Sequence, residues 1–234
     1  MNTILFDLDG TLLPMDQDVF TKGYFKELAA KCAPFGLEAG PLVDAVWAGT
    51  AAMVKNDGAE TNETRFWQTF AGILGERVLP LKEEFEHFYG QEFHRARAFT
   101  GENPLAARTV RAVREKGYRV ALATNPLFPL VGVRTRLSWL GLTPEDFSLV
   151  TSYESSHFCK PNPGYYREVL AALGAAPQDC LMVGNDTGED GCVVELGMDF
   201  YLVTDCLGGS GKPEDYRHGS FADCAAYLES LPAL

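Results

Sequence analysis

The spacing of apolar and polar positions changes twice along the chain, and the changes divide it into three stretches. Thr3-Ile4-Leu5-Phe6 is a short apolar run of the kind that forms a buried β-strand. Over residues 16–99 the apolar residues recur at helical spacing. Asp16 is placed to cap a helix carrying Val19, Phe20, Tyr24, Phe25 and Leu28, which Gly36 ends. A second helix starts near Pro41 and carries Leu42, Val43, Val46 and Met53. Asn62 is placed to cap a third, with Phe66, Phe70, Ile73 and Leu74 on one face and Gly75 as its stop. A fourth covers residues 81–99, with Phe85, Phe88 and Phe93 as anchors. Four amphipathic helices in succession predict a small bundle.

After a linker at residues 100–104, helices and strands alternate. Strands are expected to end at Thr124, to cover residues 148–151 and 180–183, and to include Phe200 to Val203. Helices are expected over residues 105–115, 131–140 and 163–173, with another before Phe200 and a last one over 223–231. This alternation predicts an α/β fold with a doubly wound parallel sheet covered on both faces. The implied organisation is an α/β core built from residues 1–15 and 100–234, interrupted by a helical domain at 16–99. The Gly-rich stretch at residues 207–218 reads as a mobile loop, with phosphate binding as the alternative duty.

The first strand runs directly into Asp7-Leu8-Asp9-Gly10-Thr11. Open α/β sheets place their ligands at such a strand end. Residues two apart in an extended chain point the same way, so Asp7 and Asp9 share one small volume. Two carboxylates that close favour a proton or a metal ion between them. An Asp-Gly pair is also a common surface turn, and the two aspartates alone do not decide between the readings.

Charge and composition narrow the partners. The formal net charge of -12 argues against a nucleic-acid backbone. It also opposes a phosphorylated substrate, unless a divalent cation and a lysine invert the sign locally. No stretch has the apolar length of a membrane span, and the N-terminus lacks the pattern of a secretory signal, so a cytoplasmic protein is expected. The six cysteines form no Cys-x-x-Cys pair and read as reduced, small apolar residues. None of the four histidines shows metal-ligand spacing; His157, just before Lys160, is the one nearest to candidate chemistry.

The string from Asp7 to Thr11 resembles the Asp-x-Asp-Gly-Thr motif of the haloacid dehalogenase-like (HAD) superfamily. Three further motifs of that family follow in order. Thr124-Asn125 ends a hydrophobic strand, Lys160-Pro161 follows downstream, and Gly184-Asn185-Asp186-Thr187-Gly188-Glu189-Asp190 follows another strand. The resemblance spans nearly the whole chain. It implies a Rossmann-like core with an inserted four-helix cap and a Mg²⁺-dependent phosphatase acting on a small phosphorylated metabolite. In that scheme Asp7 is the nucleophile that becomes an aspartyl-phosphate, and Asp9 is the general acid and base. Lys160, Thr124 and Asn125 bind the phosphoryl group. Mg²⁺ is held by the Asp7 carboxylate, the Asp9 backbone carbonyl and Asp186, with Asp190 supporting from behind.

Where many relatives have Gly-Asp, this chain has Gly184-Asn185-Asp186. Either Asp186 is the ligand with Asp190 in support, or Asn185 is the ligand with Glu189 in support. A carboxylate is the better Mg²⁺ ligand, which favours the first. Asp9 points away from dehalogenases and phosphonatases, which lack the second aspartate. A β-phosphoglucomutase-like mutase retains both, and a silent binding protein on the same fold is the remaining alternative. Oligomeric state is open. Specificity is expected from residues of the helical segment, with Tyr24, Trp47, Lys55 and Arg65 as candidates.

Overall fold

A strand without an exposed face needs neighbours along both edges and helices above and below. Thr3–Phe6 is buried at every position and forms β1. In the computed structural model, which describes residues 1–234, β1 lies inside a six-stranded parallel sheet. The other strands are β2 (Arg119–Leu122), β3 (Leu149–Val150), β4 (Cys180–Gly184), β5 (Asp199–Val203) and β6 (Arg217–Gly219). Their order is β3-β2-β1-β4-β5-β6. The chain winds outward from β1 to β3, then returns to the other side of β1 for β4. That reversal puts the ligand crevice of the fold at the C-terminal ends of β1 and β4.

The helices are α1 (Gln17–Cys32), α2 (Ala39–Val54), α3 (Asn62–Leu74), α4 (Lys82–Gly90), α5 (Ala106–Glu115), α6 (Leu130–Trp139), α7 (Pro163–Leu173) and α8 (Phe221–Ser230). Side chains alternate along β1, and so do their partners. Ile4 and Phe6 share a cluster with Val110 and Val113 of α5 and Leu228 of α8. Leu5 packs in the opposite cluster with Tyr165, Val169 and Leu173 of α7. The sheet is therefore doubly wound, as the alternation of elements predicts.

Helices α1 to α4 fall between β1 and α5. Asp16 caps α1, accepting from the Val19 amide at 3.0 Å. At α3 the cap is Thr61 rather than Asn62. Its hydroxyl accepts from the Thr64 amide at 3.3 Å, an interaction worth about 1 kcal/mol at a typical helix start. Asn62 is fully buried, and its side-chain amide donates to the Phe158 carbonyl at 3.3 Å. The Asn62 and Glu63 backbone amides donate to Ser156 O and Tyr153 O, each at 2.8 Å. The free donors at the start of α3 thus dock the helix onto loops of the sheet domain. The apolar cluster beneath is continuous from Ile4 and Phe6 to Phe20, Phe70 and Phe88.

Three elements differ from expectation. The fourth helix stops at Gly90, and Glu92–Phe99 follows as a 3-10 stretch. The segment before β5 is a 3-10 turn over Gly191–Leu196, too short for a helix that packs by its own stripe. β6 begins at the end of the Gly-rich stretch and runs one residue beyond it, pairing with β5 at the sheet edge. That stretch is also tied down at its start. Gly208 N donates to Asn185 O at 2.8 Å, and Thr187 N donates to Gly208 O at 3.2 Å. A Cβ on Gly208 would lie 2.5 Å from Asp186 Oδ2, so only glycine lets this loop approach.

All six cysteines are free. Burial pushes the Cys224 thiol up to about 12, which suits a small apolar role. No helix is long and apolar enough to cross a membrane.

Candidate active site

The backbone places the first carboxylate. Parallel pairing of β1 with β4 carries the ladder one residue beyond the strand, where Asp7 N donates to Val183 O at 2.9 Å. Asp7 is thereby fixed beside the end of β4. Its two oxygens have separate partners: Lys160 Nζ donates to Oδ1 at 2.9 Å, and the Thr11 hydroxyl to Oδ2 at 3.0 Å.

Lys160 is the charge centre of the site. It is 1 % exposed, and a second donation reaches Asp190 Oδ1 at 2.6 Å. An ammonium this deep would lose its proton if it were alone. Burial does pull in that direction, but Asp190 and Asp7 outweigh it and hold Lys160 well above its ordinary value. Asp190 sits under opposing influences. Burial raises its carboxyl, Lys160 lowers it, and the charge of Asp7 raises it again, leaving it at about 7. Two buried carboxylates share one cation, so the pocket beneath the cleft carries one negative charge in excess when both are ionised.

Asp9 lines the same cleft but has different partners. Its Oδ2 is paired with the Arg136 guanidinium, while Oδ1 is buried without a hydrogen-bond partner. Burial holds Asp9 above the usual carboxylate range in spite of Arg136. Arg136 itself is fully buried in α6. Its Nε donates to Gly132 O at 3.3 Å, and its Cζ lies 4.2 Å from the Phe128 ring centre. The sequence reading missed this residue. The available signal was an arginine four positions after Gly132 and three after Val133, both on the buried stripe of α6.

The fourth motif is arranged by two contacts. Gly10 has φ +88°, and a Cβ there would lie 2.4 Å from Asn185 Nδ2. Glycine therefore both makes the turn after Asp9 and admits Asn185 against it. Asn185 Oδ1 accepts from the same Thr11 hydroxyl that serves Asp7, again at 3.0 Å. Asp186 is engaged elsewhere. Its Oδ1 accepts from the backbone amides of Gly188 and Glu189 at 2.7 and 2.8 Å, and its Oδ2 abuts Gly208. Asp190 accepts from Lys160 Nζ at Oδ1 and from the Asp186 backbone amide at Oδ2, the latter at 3.1 Å.

Thr124 and Asn125 follow β2 and line the same cleft as Asp7 and Asp9, together with Asn185, Asp186 and Glu189. The Asn125 amide is partly committed: Nδ2 donates to Glu189 Oε2 at 3.0 Å, and Oδ1 accepts from the Lys160 amide at 3.2 Å. His157 pairs with Glu168 rather than with any of these groups. Of the specificity candidates, Tyr24 and Trp47 line a cavity that reaches Asp9, whereas Arg65 is paired with Asp57 at 2.7 Å on the surface and Lys55 is exposed.

Every charged side chain lining the cleft is acidic. No three acidic, histidine or cysteine side chains are gathered as a ready-made metal cage. Two side-chain oxygens, Asp7 Oδ2 and Asn185 Oδ1, do converge, each 3.0 Å from one hydroxyl. Oxygen donors, few carboxylates and an open face suit a hard cation that keeps several waters, as Mg²⁺ does. The residues present fit such an ion.

A family profile described as haloacid dehalogenase-like hydrolase matches residues 1–190. The chain belongs to the haloacid dehalogenase-like hydrolases. Among its relatives, the phosphoglycolate phosphatase of Cereibacter sphaeroides is 27% identical over 224 residues, covering 95% of this chain and 90% of that protein. The pyrophosphatase PpaX of Bacillus cereus is 23% identical over 186 residues, covering 80% of this chain and 75% of that protein. A HAD phosphatase from Thermococcus onnurineus has the same fold. It superposes with a TM-score of 0.60 at 18% identity, covering 100% of both chains. The HAD membership accounts for the order of the four motifs along the chain and for the crevice in which they meet.

Proposed function

We propose that this HAD hydrolase is a Mg²⁺-dependent phosphatase that cleaves a small phosphorylated metabolite through an aspartyl-phosphate on Asp7. The observation that carries this reading is the division of labour between the two aspartates. Asp7 is gripped at both oxygens by Lys160 and Thr11, while Asp9 is partly buried, raised in pKa and without a partner at Oδ1. One is built to attack and the other to carry a proton.

A phosphate monoester resists attack because its own charge repels nucleophiles, so the site must supply positive charge and alignment. The Lys160 ammonium fixes the direction of the Asp7 carboxylate and adds charge beside the phosphoryl oxygens. Thr124 and the free proton of the Asn125 amide are within the cleft to orient that group. Asp9 then delivers its proton from Oδ1 to the leaving oxygen and recovers one from the water that opens the acyl phosphate. Arg136 holds Oδ2 and so fixes which oxygen faces the substrate. Mg²⁺, held by Asp7, the Asp9 backbone carbonyl and a residue of the fourth motif, would offset the charge of the acidic cleft and of the phosphoryl oxygens.

For that last ligand the geometry favours Asn185 over Asp186. Asn185 Oδ1 lies beside the Asp7 oxygen, and Asp186 is spent on backbone amides. Asn185→Ala is therefore expected to raise the Mg²⁺ concentration for half-maximal activity at least about tenfold, the scale of losing one metal partner. Asp186→Ala should change stability more than Mg²⁺ dependence. The reverse order in a Mg²⁺ titration would restore the carboxylate as ligand.

Residues 16–99 act as a cap in this reading, and two observations support it. Its two linkers run side by side, with Gly101 N donating to Pro14 O at 2.7 Å, and α1 to α4 form one wall of a cavity that ends at Asp9. A cytoplasmic setting, with no nucleic acid or membrane as partner, fits the net charge of -12. The test is release of inorganic phosphate from a panel of phosphorylated metabolites. Activity is expected with Mg²⁺ and should be lost after EDTA treatment and dialysis. Isomerisation of a sugar phosphate without phosphate release would indicate the mutase instead, and no turnover of any ester would indicate a binding protein.

A further inference from the structure

We infer that the leaving group of the substrate is uncharged and mainly apolar, about the size of one aromatic ring, and that it lies in the aromatic cavity between the helical segment and the sheet domain. The inference rests on the phosphatase reading and specifies its substrate class. The cavity of about 180 Å³ is lined chiefly by rings, among them Tyr24, Phe66, Trp67, Phe128 and Tyr153. Asp9, Gln17, Leu127 and Phe128 line both this cavity and the acidic cleft, so the two are continuous at Asp9. The group that receives the proton of Asp9 is the leaving oxygen. Whatever is attached to that oxygen extends from Asp9, where the acidic cleft that takes the phosphoryl group gives way to the aromatic cavity.

Charge decides what that space accepts. The only charged residues on its wall are Asp9 and Glu86, both acidic. Lys82 lies over the Trp67 ring but lines the neighbouring surface and is paired with Glu63 at 3.1 Å. Arg136 is turned to Asp9 behind the Phe128 ring. A carboxylate or a second phosphate placed here would meet no cation and would lose its water. The remaining polar groups of the wall are neutral, and several are paired. Tyr24 and Tyr89 share a hydrogen bond of 2.7 Å, and Trp67 Nε1 donates to the Tyr153 hydroxyl at 3.4 Å. A cavity of about 150 Å³ suffices for a benzene-sized ring, and apolar walls of this kind bind one. Offset and edge-on contacts with the surrounding rings add to burial.

The test compares kcat/KM for benzyl phosphate, phosphoglycolate and pyrophosphate with Mg²⁺ present. Benzyl phosphate is chosen because its alcohol is no better a leaving group than an ordinary aliphatic one. It should exceed both anionic substrates by about a hundredfold or more, the scale on which sites reject groups they leave unpaired. Two variants then move the ratio. Trp47→Ala, at the half-exposed rim, should lower the ratio of benzyl phosphate to phosphoglycolate. Thr50→Arg, which puts a cation on the wall, should lower it further by raising phosphoglycolate turnover. Phosphoglycolate or pyrophosphate used as well as benzyl phosphate by the unaltered enzyme would overturn the inference and leave the phosphatase reading intact. If no ester releases phosphate, the phosphatase reading has failed. Benzyl alcohol then decides the cavity alone: saturable quenching of tryptophan fluorescence, lost in Thr50→Arg, supports an apolar occupant, and its absence overturns one.

Discussion

Asp7→Asn is expected to lower phosphate release by more than about 10⁴-fold while the protein remains folded. An amide oxygen is a poor nucleophile toward phosphorus, and no neighbour can take its place. Asp190 is behind Lys160, and Asp9 is held at Oδ2 by Arg136. The fold should survive because the amide keeps the shape of the side chain and its oxygen can still accept from Lys160 or Thr11. The electrostatics go further. In the parent protein two buried carboxylates face one ammonium, and the substitution leaves a one-to-one pair. Asp7 is also among the groups that raise Asp9 and Asp190, so its neutralisation removes a repulsion from both. Without added metal the variant should therefore melt at or slightly above the parent temperature. Phosphate release above a few per cent of the parent rate would remove Asp7 from the nucleophile's role. A lower melting temperature would show that Lys160 depends on Asp7 more than on Asp190.

Much of this architecture is written in local pattern. The strands that carry Asp7, Thr124 and the fourth motif are apolar runs ending in polar clusters, and each proves to be a strand at the crevice. Lys160 belongs to a short loop that no periodicity marks, and only its order among the motifs singled it out. What was not legible depends on contacts between distant residues. The choice between Asn185 and Asp186 turns on Gly10 and Gly208, one far upstream and one in a later loop. Arg136 reads as an ordinary helical arginine until Asp9, 127 positions away, is placed against it. Asn62 looked like a cap because capping residues and buried linkers are drawn from the same amino acids, and the neighbouring Thr61 performs the capping. β6 is three residues, Arg-His-Gly, with no alternation to announce it, and exists through pairing with β5. Tyr24 and Phe66 are assignable to helix faces, but Phe128 and Tyr153 come from loops, and a cavity is a property of several elements at once.

Lys160→Met is expected to cost both stability and activity, and the two losses should be separable. Methionine matches the length of the lysine stem, so the contact with the Tyr165 ring is largely kept. The charge is what disappears. Asp7 and Asp190, both buried, are left facing each other without a cation. Breaking a buried pair from one side typically costs about 3–5 kcal/mol, because the remaining charge is stranded. Urea unfolding at neutral pH should show a loss on that scale. The stranded carboxylates should also bind protons more readily in the folded state than in the unfolded one. By linkage, stability then falls as pH rises from the ordinary carboxylate range to beyond about 7, where Asp190 already stands with Lys160 beside it, so the deficit of the variant should shrink as pH is lowered from neutral. Adding Asp190→Asn removes one of the two stranded charges. The double variant should regain much of the lost stability, and the deviation from additivity measures the Lys160–Asp190 coupling directly. Activity should behave differently. In the proposed mechanism Lys160 stabilises the phosphoryl charge as well as its own neighbours, and loss of one such donor costs about 10²–10³ in rate. Restoring stability through Asp190→Asn should leave that loss in place. If phosphate release recovered together with stability, Lys160 would be a strut for the pocket and not part of its chemistry.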